Sequence, residues 1–271
     1  MFTSVRSYGF RILAAFGFMA ALCLPAIGKP EDAARKPVMV VLDIFPFSWR
    51  EDGQDKGLFV DIARQVRQRS GVDYDIIFQP FGRNIQSLAT GKADYSIFHS
   101  YPDNDFGYET VGIVSCARLI VVPMANRGIT TIDDLNGKSV IFPPGGYFDR
   151  HFARHMDIKA VPVAAGESIL ELASRGRADA FTATDQLIES YQLKISDRYS
   201  MPEEFWPKLG KPVELVEANL AFVVSDKSPF RGETGKIAAA ISEMQRSGEL
   251  LRLAKKYSST VQTGCYSVTA K

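Results

Sequence analysis

The sequence predicts an α/β chain folded as two lobes, each a mostly parallel sheet flanked by helices. Three observations carry that prediction. Strand-like apolar runs alternate with segments of helical period, first from Val38 and again after Arg118. The tetrapeptide Gly91-Lys92-Ala93-Asp94 is echoed 85 residues later by Gly176-Arg177-Ala178-Asp179. Finally, 243 of the 271 residues remain once an export signal is set aside, enough for two units of about 100–150 residues.

Val38 to Leu42 is a β-branched and aliphatic run, as a buried parallel strand requires. Leu58, Phe59, Ile62, Ala63 and Val66 then recur at helical spacing, and Gly71 supplies a left-handed stop. Tyr74 to Phe78 reads as a strand, Arg83 to Thr90 as a helix ended by Gly91, and a third strand begins at Asp94. The second round has strands at Leu119 to Val122, Ser139 to Phe142, Ala160 to Val163 and Asp179 to Ala183. Between and after them come helices at Ile132 to Leu135, Phe148 to His155, Glu167 to Arg175 and from Gln186. A strand at Leu215 to Val224 precedes two terminal helices, Gly235 to Arg246 and Glu249 to Tyr257, broken at Ser247-Gly248. In both copies of the tetrapeptide, glycine closes a helix and the chain turns directly into the sheet.

The first residues address the chain for export. Arg6 and Arg11 precede an uncharged apolar run from Ile12 to Leu24, shorter than the roughly 20 residues of a membrane span, and Ala26-Ile27-Gly28 offers small residues for cleavage after Gly28. Acylation at Cys23 is the weaker alternative, because bulky Leu22 precedes it. Residues 1–28 are therefore a signal peptide and the compartment is the periplasm. Their removal takes away two arginines and no acid, so the net charge of +1 becomes −1, which leaves no electrostatic footprint for nucleic acid. Of the three cysteines, Cys116 and Cys265 survive processing, in a compartment that permits disulfides. His151 and His155 stand four apart, but Phe152-Ala153-Arg154 between them lacks the glutamate of a metalloprotease, and we assign no metal and no cofactor. No GxSxG elbow and no paired carboxylates stand out, so no catalytic residue is assigned.

An ordered set of motifs then resembles the family 3 extracellular solute-binding proteins of bacterial ABC transporters, the polar amino-acid-binding type. The set comprises Phe45-Pro46-Phe47 after the first strand, Gly57-Leu58-Phe59-Val60-Asp61-Ile62-Ala63, the two Gly-x-Ala-Asp turns, Ile132-Asp133-Asp134-Leu135-Asn136-Gly137-Lys138, and Ser247-Gly248-Glu249-Leu250. The resemblance spans about Val38 to Tyr257. It implies a type II periplasmic-binding-protein-like fold in which the chain crosses twice between lobes, near Ser115 to Arg118 and Asn219 to Phe222. Residues 37–117 plus 222–271 then form lobe 1 and residues 118–221 form lobe 2. A monomer that closes on a small polar ligand and delivers it to an ABC permease in the inner membrane is the function so implied. A single-domain lyase of the cyclohexadienyl-dehydratase kind and a ligand-sensing receptor subunit are the alternatives. The same resemblance places Cys116 and Cys265 near lobe 1, where they can pair.

Three loops should face the cleft, at the carboxyl ends of strands. Asp43, Phe45 and Phe47 follow the first strand; the alternative for the two rings is the core. His99, Ser100 and Tyr101 follow the strand begun at Asp94. Gly145, Gly146 and Tyr147 form a strand-to-helix turn whose amides suit an anion. Asp185 lies near the family's ammonium-binding acid, one residue later than its usual spacing, with helix capping as the alternative. The family's carboxylate-binding arginine falls at Phe106 here, and Arg83 is the replacement cation. The expected ligand is therefore small and polar, anionic or compatible with aromatic walls, and not a standard amino acid held in the usual way.

Overall fold

The apolar run that opens the sheet can be covered on both faces, and in the computed structural model it is: Val38–Leu42 forms β1, with Met39, Val40 and Val41 fully buried. The structure describes residues 35–100, 107–163, 169–196 and 198–258, with the side chains of His99 and Ser100 set aside. After β1 comes an antiparallel hairpin, β2 (Trp49–Glu51) and β3 (Gln54–Lys56), in a stretch where the sequence predicts no strand. Asp52 and Gly53 both have positive φ at its tip, at 52° and 71°, which suits the right-handed twist of the two strands.

Helix α1 (Leu58–Ser70) buries the stripe of Leu58, Phe59, Ile62, Ala63 and Val66 and ends at Gly71, whose N–H donates to the Arg67 carbonyl at 3.2 Å. Strand β4 (Asp75–Gln79), helix α2 (Phe81–Thr90) and strand β5 (Tyr95–Ser100) complete the first βαβαβ unit. Strand β6 (Tyr108–Pro123) follows, then β7 (Ser139–Phe142), β8 (Lys159–Pro162), α3 (Ile169–Ser174), β9 (Ala180–Thr184) and α4 (Asp185–Gln192). Strand β10 (Val213–Ser225), α5 (Thr234–Arg246) and α6 (Glu249–Lys255) close the described chain. Two expected helices are shorter than read. Ile132 to Leu135 is a 3₁₀ turn over Asp133–Leu135, and Phe148 to His155 contains a π-helical turn over Asp149–Ala153.

The strands lie in the order β4-β1-β5-β10-β6-β9-β7-β8. Parallel pairs occupy the two ends, β4/β1/β5 in the first lobe and β9/β7/β8 in the second. Between them β6 and β10 pair antiparallel along their length and run through both lobes, with Cys116 opposite Asn219 and Arg118 opposite Glu217. At 16 residues β6 is much longer than the expected Leu119 to Val122, because its first half, Tyr108 to Ile113, is only partly covered and shows no apolar run.

The echoed tetrapeptide has a definite mechanical role. The Asp94 N–H donates to the Val38 carbonyl at 2.9 Å, while the Asp94 carboxylate accepts the Val38 N–H at 2.8 Å. In the second lobe the Asp179 N–H donates to the Ser139 carbonyl at 2.8 Å, and the Asp179 carboxylate accepts the Ser139 N–H at 2.9 Å. Each aspartate thus grips both backbone groups of the first residue of the neighbouring parallel strand. A charge-assisted pair of this kind fixes register at the strand start, the end of the sheet away from the cleft loops.

Candidate ligand-binding cleft

The loops after the carboxyl ends of β1, β4, β7 and β9 meet along one seam between the lobes. From the first lobe, Phe45 follows β1, precedes Pro46 across a cis bond, and is 3% exposed. Its ring stacks on Tyr199 at 4.7 Å and meets Tyr191 of α4 edge-on at 5.1 Å, with Trp49 at 4.9 Å beside it. The ring thus reaches the seam, and aromatic side chains of the second lobe cover it. Phe47 takes the other course, stacking on Phe59 of α1 at 4.9 Å with 4% of its surface exposed, so it belongs to the first-lobe core. Asp43 is exposed, and its N–H donates to the Gln79 carbonyl at 3.0 Å.

On the second lobe the turn of Pro143 to Tyr147 has its own acid. The Gly145 N–H donates to Asp149 Oδ2 at 2.7 Å and the Gly146 N–H to the Pro143 carbonyl at 3.2 Å, so both amides expected to meet an anion already have partners. Gly145 needs its positive φ of 77° to make this turn, and Gly146 lies against the first lobe: a Cβ there would stand 3.9 Å from Phe81 Cζ. Tyr147 is half-buried and its ring packs on His151 at 4.2 Å.

Asp185 does not stand free: its carboxylate accepts the Gln186 N–H in the first turn of α4 at 2.9 Å. Thr184 is the cap, accepting the Leu187 N–H at 3.1 Å. The Asp185 carboxylate also takes the Arg118 Nε–H at 3.0 Å and the Arg118 N–H at 3.2 Å, tying α4 to the crossing strand. Asp185, then Glu214 and Glu217 on β10, raise the pKa of Arg118. Arg83 is exposed on the first turn of α2 and makes no ion pair among the described residues. His99 and Ser100 lie at the end of β5, their backbones opposite Leu220 and Asn219. Tyr101, Phe106, Cys265 and the signal segment lie outside the described residues. Cys116 is disulfide-bonded, and both other cysteines, Cys23 and Cys265, are in those undescribed parts.

At the mouth of the seam the β2–β3 hairpin meets the chain after α4. The Ser196 hydroxyl donates to Glu51, and Arg198 Nη1 donates to the Arg50 carbonyl at 3.0 Å. A polar cavity of about 510 Å³ opens beside these contacts, with Glu51, Lys56, Lys194 and Arg198 in its wall. The Ser196 hydroxyl first, then the Lys56 ammonium, hold the Glu51 carboxyl well below its ordinary range, at about 2. A depressed folded-state value means the stabilisation is complete above the ordinary carboxylate range and disappears as pH falls towards 2. The melting temperatures of wild type and Glu51→Gln are therefore expected to differ at neutral pH and to converge between about pH 4.5 and 2. A constant difference across that window would refute the assignment.

Sequence reasoning missed Arg118, Phe81, Tyr191, Tyr199 and the Glu51–Ser196 contact. Each depends on a partner distant in the chain, and none sits in a local motif.

Comparison with known proteins agrees with this architecture. The family described as bacterial extracellular solute-binding proteins, family 3, matches residues 38–103. The "Probable amino-acid-binding protein YxeM" of Bacillus subtilis (strain 168) is 24% identical over 225 residues, covering 79% of this chain and 80% of that protein. The arginine-binding extracellular protein ArtP of the same organism is 21% identical over 254 residues, 91% of this chain and 95% of its own. The arginine-, lysine-, histidine-binding protein ArtJ from Geobacillus stearothermophilus superposes with a TM-score of 0.70 at 15% identity, covering 86% of this chain and all of that one. The GluR0 ligand-binding core from Nostoc punctiforme, solved with L-glutamate, gives 0.66 at 18% identity, over 82% and 98% of the two chains. Among the described residues no helix is long and apolar enough to cross a membrane. Over residues 38–103 the chain is similar to the bacterial extracellular solute-binding proteins of family 3, and its fold is the two-lobed type II periplasmic-binding fold.

Proposed function

We propose that the protein is an exported periplasmic receptor that captures a small polar ligand between its lobes, as a monomer and without turnover, and delivers it to an ABC permease. The observation that carries this reading is the seam itself. Segments that follow the carboxyl ends of strands in both lobes converge there, Phe45 and Phe81 of α2 from one side, Gly146, Tyr191 of α4 and Tyr199 beyond it from the other. On this reading residues 37–117 plus 222–271 move against residues 118–221, and the Cys116 disulfide is closed by Cys265.

The ligand follows from which groups are already engaged. Asp185 is neutralised by Arg118 and the Gly145 amide by Asp149, so neither is open to the ammonium or carboxylate of a free amino acid. Arg83, exposed and without an ion pair among the described residues, is the cation we assign to the ligand, and it favours an anionic one. Native mass spectrometry of protein purified without denaturation, followed by a thermal-shift panel of metabolites, tests this. An anionic ligand is expected, with affinity falling about tenfold or more in Arg83→Ala, as a lost charge-assisted hydrogen bond implies. Micromolar or tighter binding of a common L-amino acid, indifferent to Arg83→Ala, would overturn the ligand class. Turnover of prephenate or arogenate would replace the receptor by a lyase.

A further inference from the structure

Besides the two crossing strands, the chain just beyond α6 also reaches the second lobe. The buried Ser190 hydroxyl of α4 is set between the Gln186 carbonyl at 2.7 Å and the Tyr257 carbonyl at 2.8 Å. Next to it the Ser258 hydroxyl donates to Glu189. The same short segment is rooted in the first lobe. The Tyr257 hydroxyl donates to Asp61 of α1 at 2.7 Å, Lys256 reaches the same oxygen at 2.8 Å, and the Tyr257 ring stands edge-on to Trp49 at 6.0 Å. Arg69 holds the root firm by pairing with Glu243 of α5 and Glu249 of α6.

Helix α4 is thus fastened at two points. At its start Gln186 Nε2 donates to the Cys116 carbonyl at 2.8 Å and Asp185 holds Arg118, both on β6. Further along, Ser190 and Glu189 hold residues 257 and 258. The seam contacts of Ser196, Arg198 and Tyr199 all come from chain that follows the helix. Two anchored points define an axis, and contacts beyond it can part without disturbing either anchor.

We propose that residues 256–258 are a third connection between the lobes, a strap that makes α4 the axis about which the second lobe turns, with Ser190 and Asp61 as its positioning residues. The proposal rests on the lobes opening and closing, and not on the identity of the ligand. Asp61 is the discriminating position, because its hydrogen bonds lie within the first lobe and it can affect the second only through the strap.

Small-angle scattering and amide hydrogen exchange on the ligand-free protein test it, with wild type, Ser190→Ala, Asp61→Ala and Phe45→Ala compared. Both strap variants are expected to raise the radius of gyration by about 1 Å and to speed exchange at Leu187 to Gln192 about tenfold, with β7 and β9 unchanged. If Phe45→Ala expands the protein and the strap variants do not, the strap is overturned while hinge closure stands. If none of the three expands it, hinge closure fails and the strap fails with it. Faster exchange in α4 with no expansion would mean local packing only, and would also overturn the proposal.

Discussion

Gly57→Ala is expected to destabilise the protein by more than about 4 kcal/mol, a loss reserved for changes that the surrounding structure cannot absorb. The reason lies in how α1 begins. No side chain caps it; instead the N–H groups of Leu58 and Phe59 donate to the carbonyls of Pro46 and Phe47, at 3.3 and 2.8 Å. That arrangement brings the backbone at Gly57 directly onto the Phe47–Ser48 peptide. A Cβ at 57 would stand 2.6 Å from Ser48 Cα and 2.7 Å from the Phe47 carbonyl carbon, and the φ of 124° with ψ of 162° lies where side chains are strained in any case. Backbone cannot step aside as a side-chain tip can. The control is Gly53→Ala, at positive φ but with nothing within 4 Å, for which a cost of about 1 kcal/mol is expected. Urea melts of the two variants read the difference, and equal midpoints would refute the close-approach account.

Phe45→Ala should be the most damaging single change at the seam. Truncating a buried phenylalanine costs about 3–5 kcal/mol, which for a chain of this size lowers the melting temperature by roughly 10 °C. Its partners divide between the lobes, with Trp49 on its own side and Tyr191 and Tyr199 opposite. Part of the loss therefore falls on the closed arrangement alone, so the variant should be more open as well as less stable. Phe45→Leu keeps most of the volume and gives up ring geometry worth about 1 kcal/mol, so it should melt close to wild type. A large drop in melting temperature with an unchanged radius of gyration would make Phe45 a core residue and nothing more.

The parts of this molecule that could be read from residue order are those whose cause is local. β1 announces itself because five neighbours share one environment, and α1 because Leu58, Phe59, Ile62, Ala63 and Val66 fall on one face. The Gly-x-Ala-Asp turns were visible as a repeat, though their grip on Val38 and Ser139 became visible only with the sheet assembled. The β2–β3 hairpin escaped notice because its strands are three residues each and mostly polar. At the cleft, residue types were legible and pairings were not. Arg118 and Asp185 are 67 positions apart, and nothing in either neighbourhood signals that they neutralise each other. Gly145 has its partner only four residues away in Asp149, yet the glycine-rich turn reads equally well as an open anion site.

The place of β10 in the sheet has a consequence for how the chain is made. It lies between β5 and β6, which are neighbours in sequence and would otherwise be free to pair with each other. Until residues 213–225 arrive, the inner edges of both strands are bare, and the first-lobe sheet lacks the piece that joins its two halves. By contrast β7, β8 and β9 come from one continuous stretch, Ser139 to Thr184, and can assemble as soon as it emerges. A chain that emerges from its N-terminus therefore presents its earliest strands as open templates for longer than its later ones. The first lobe, begun first, is finished last, and the vulnerable interval in this protein's life is the time between the emergence of β5 and that of β10.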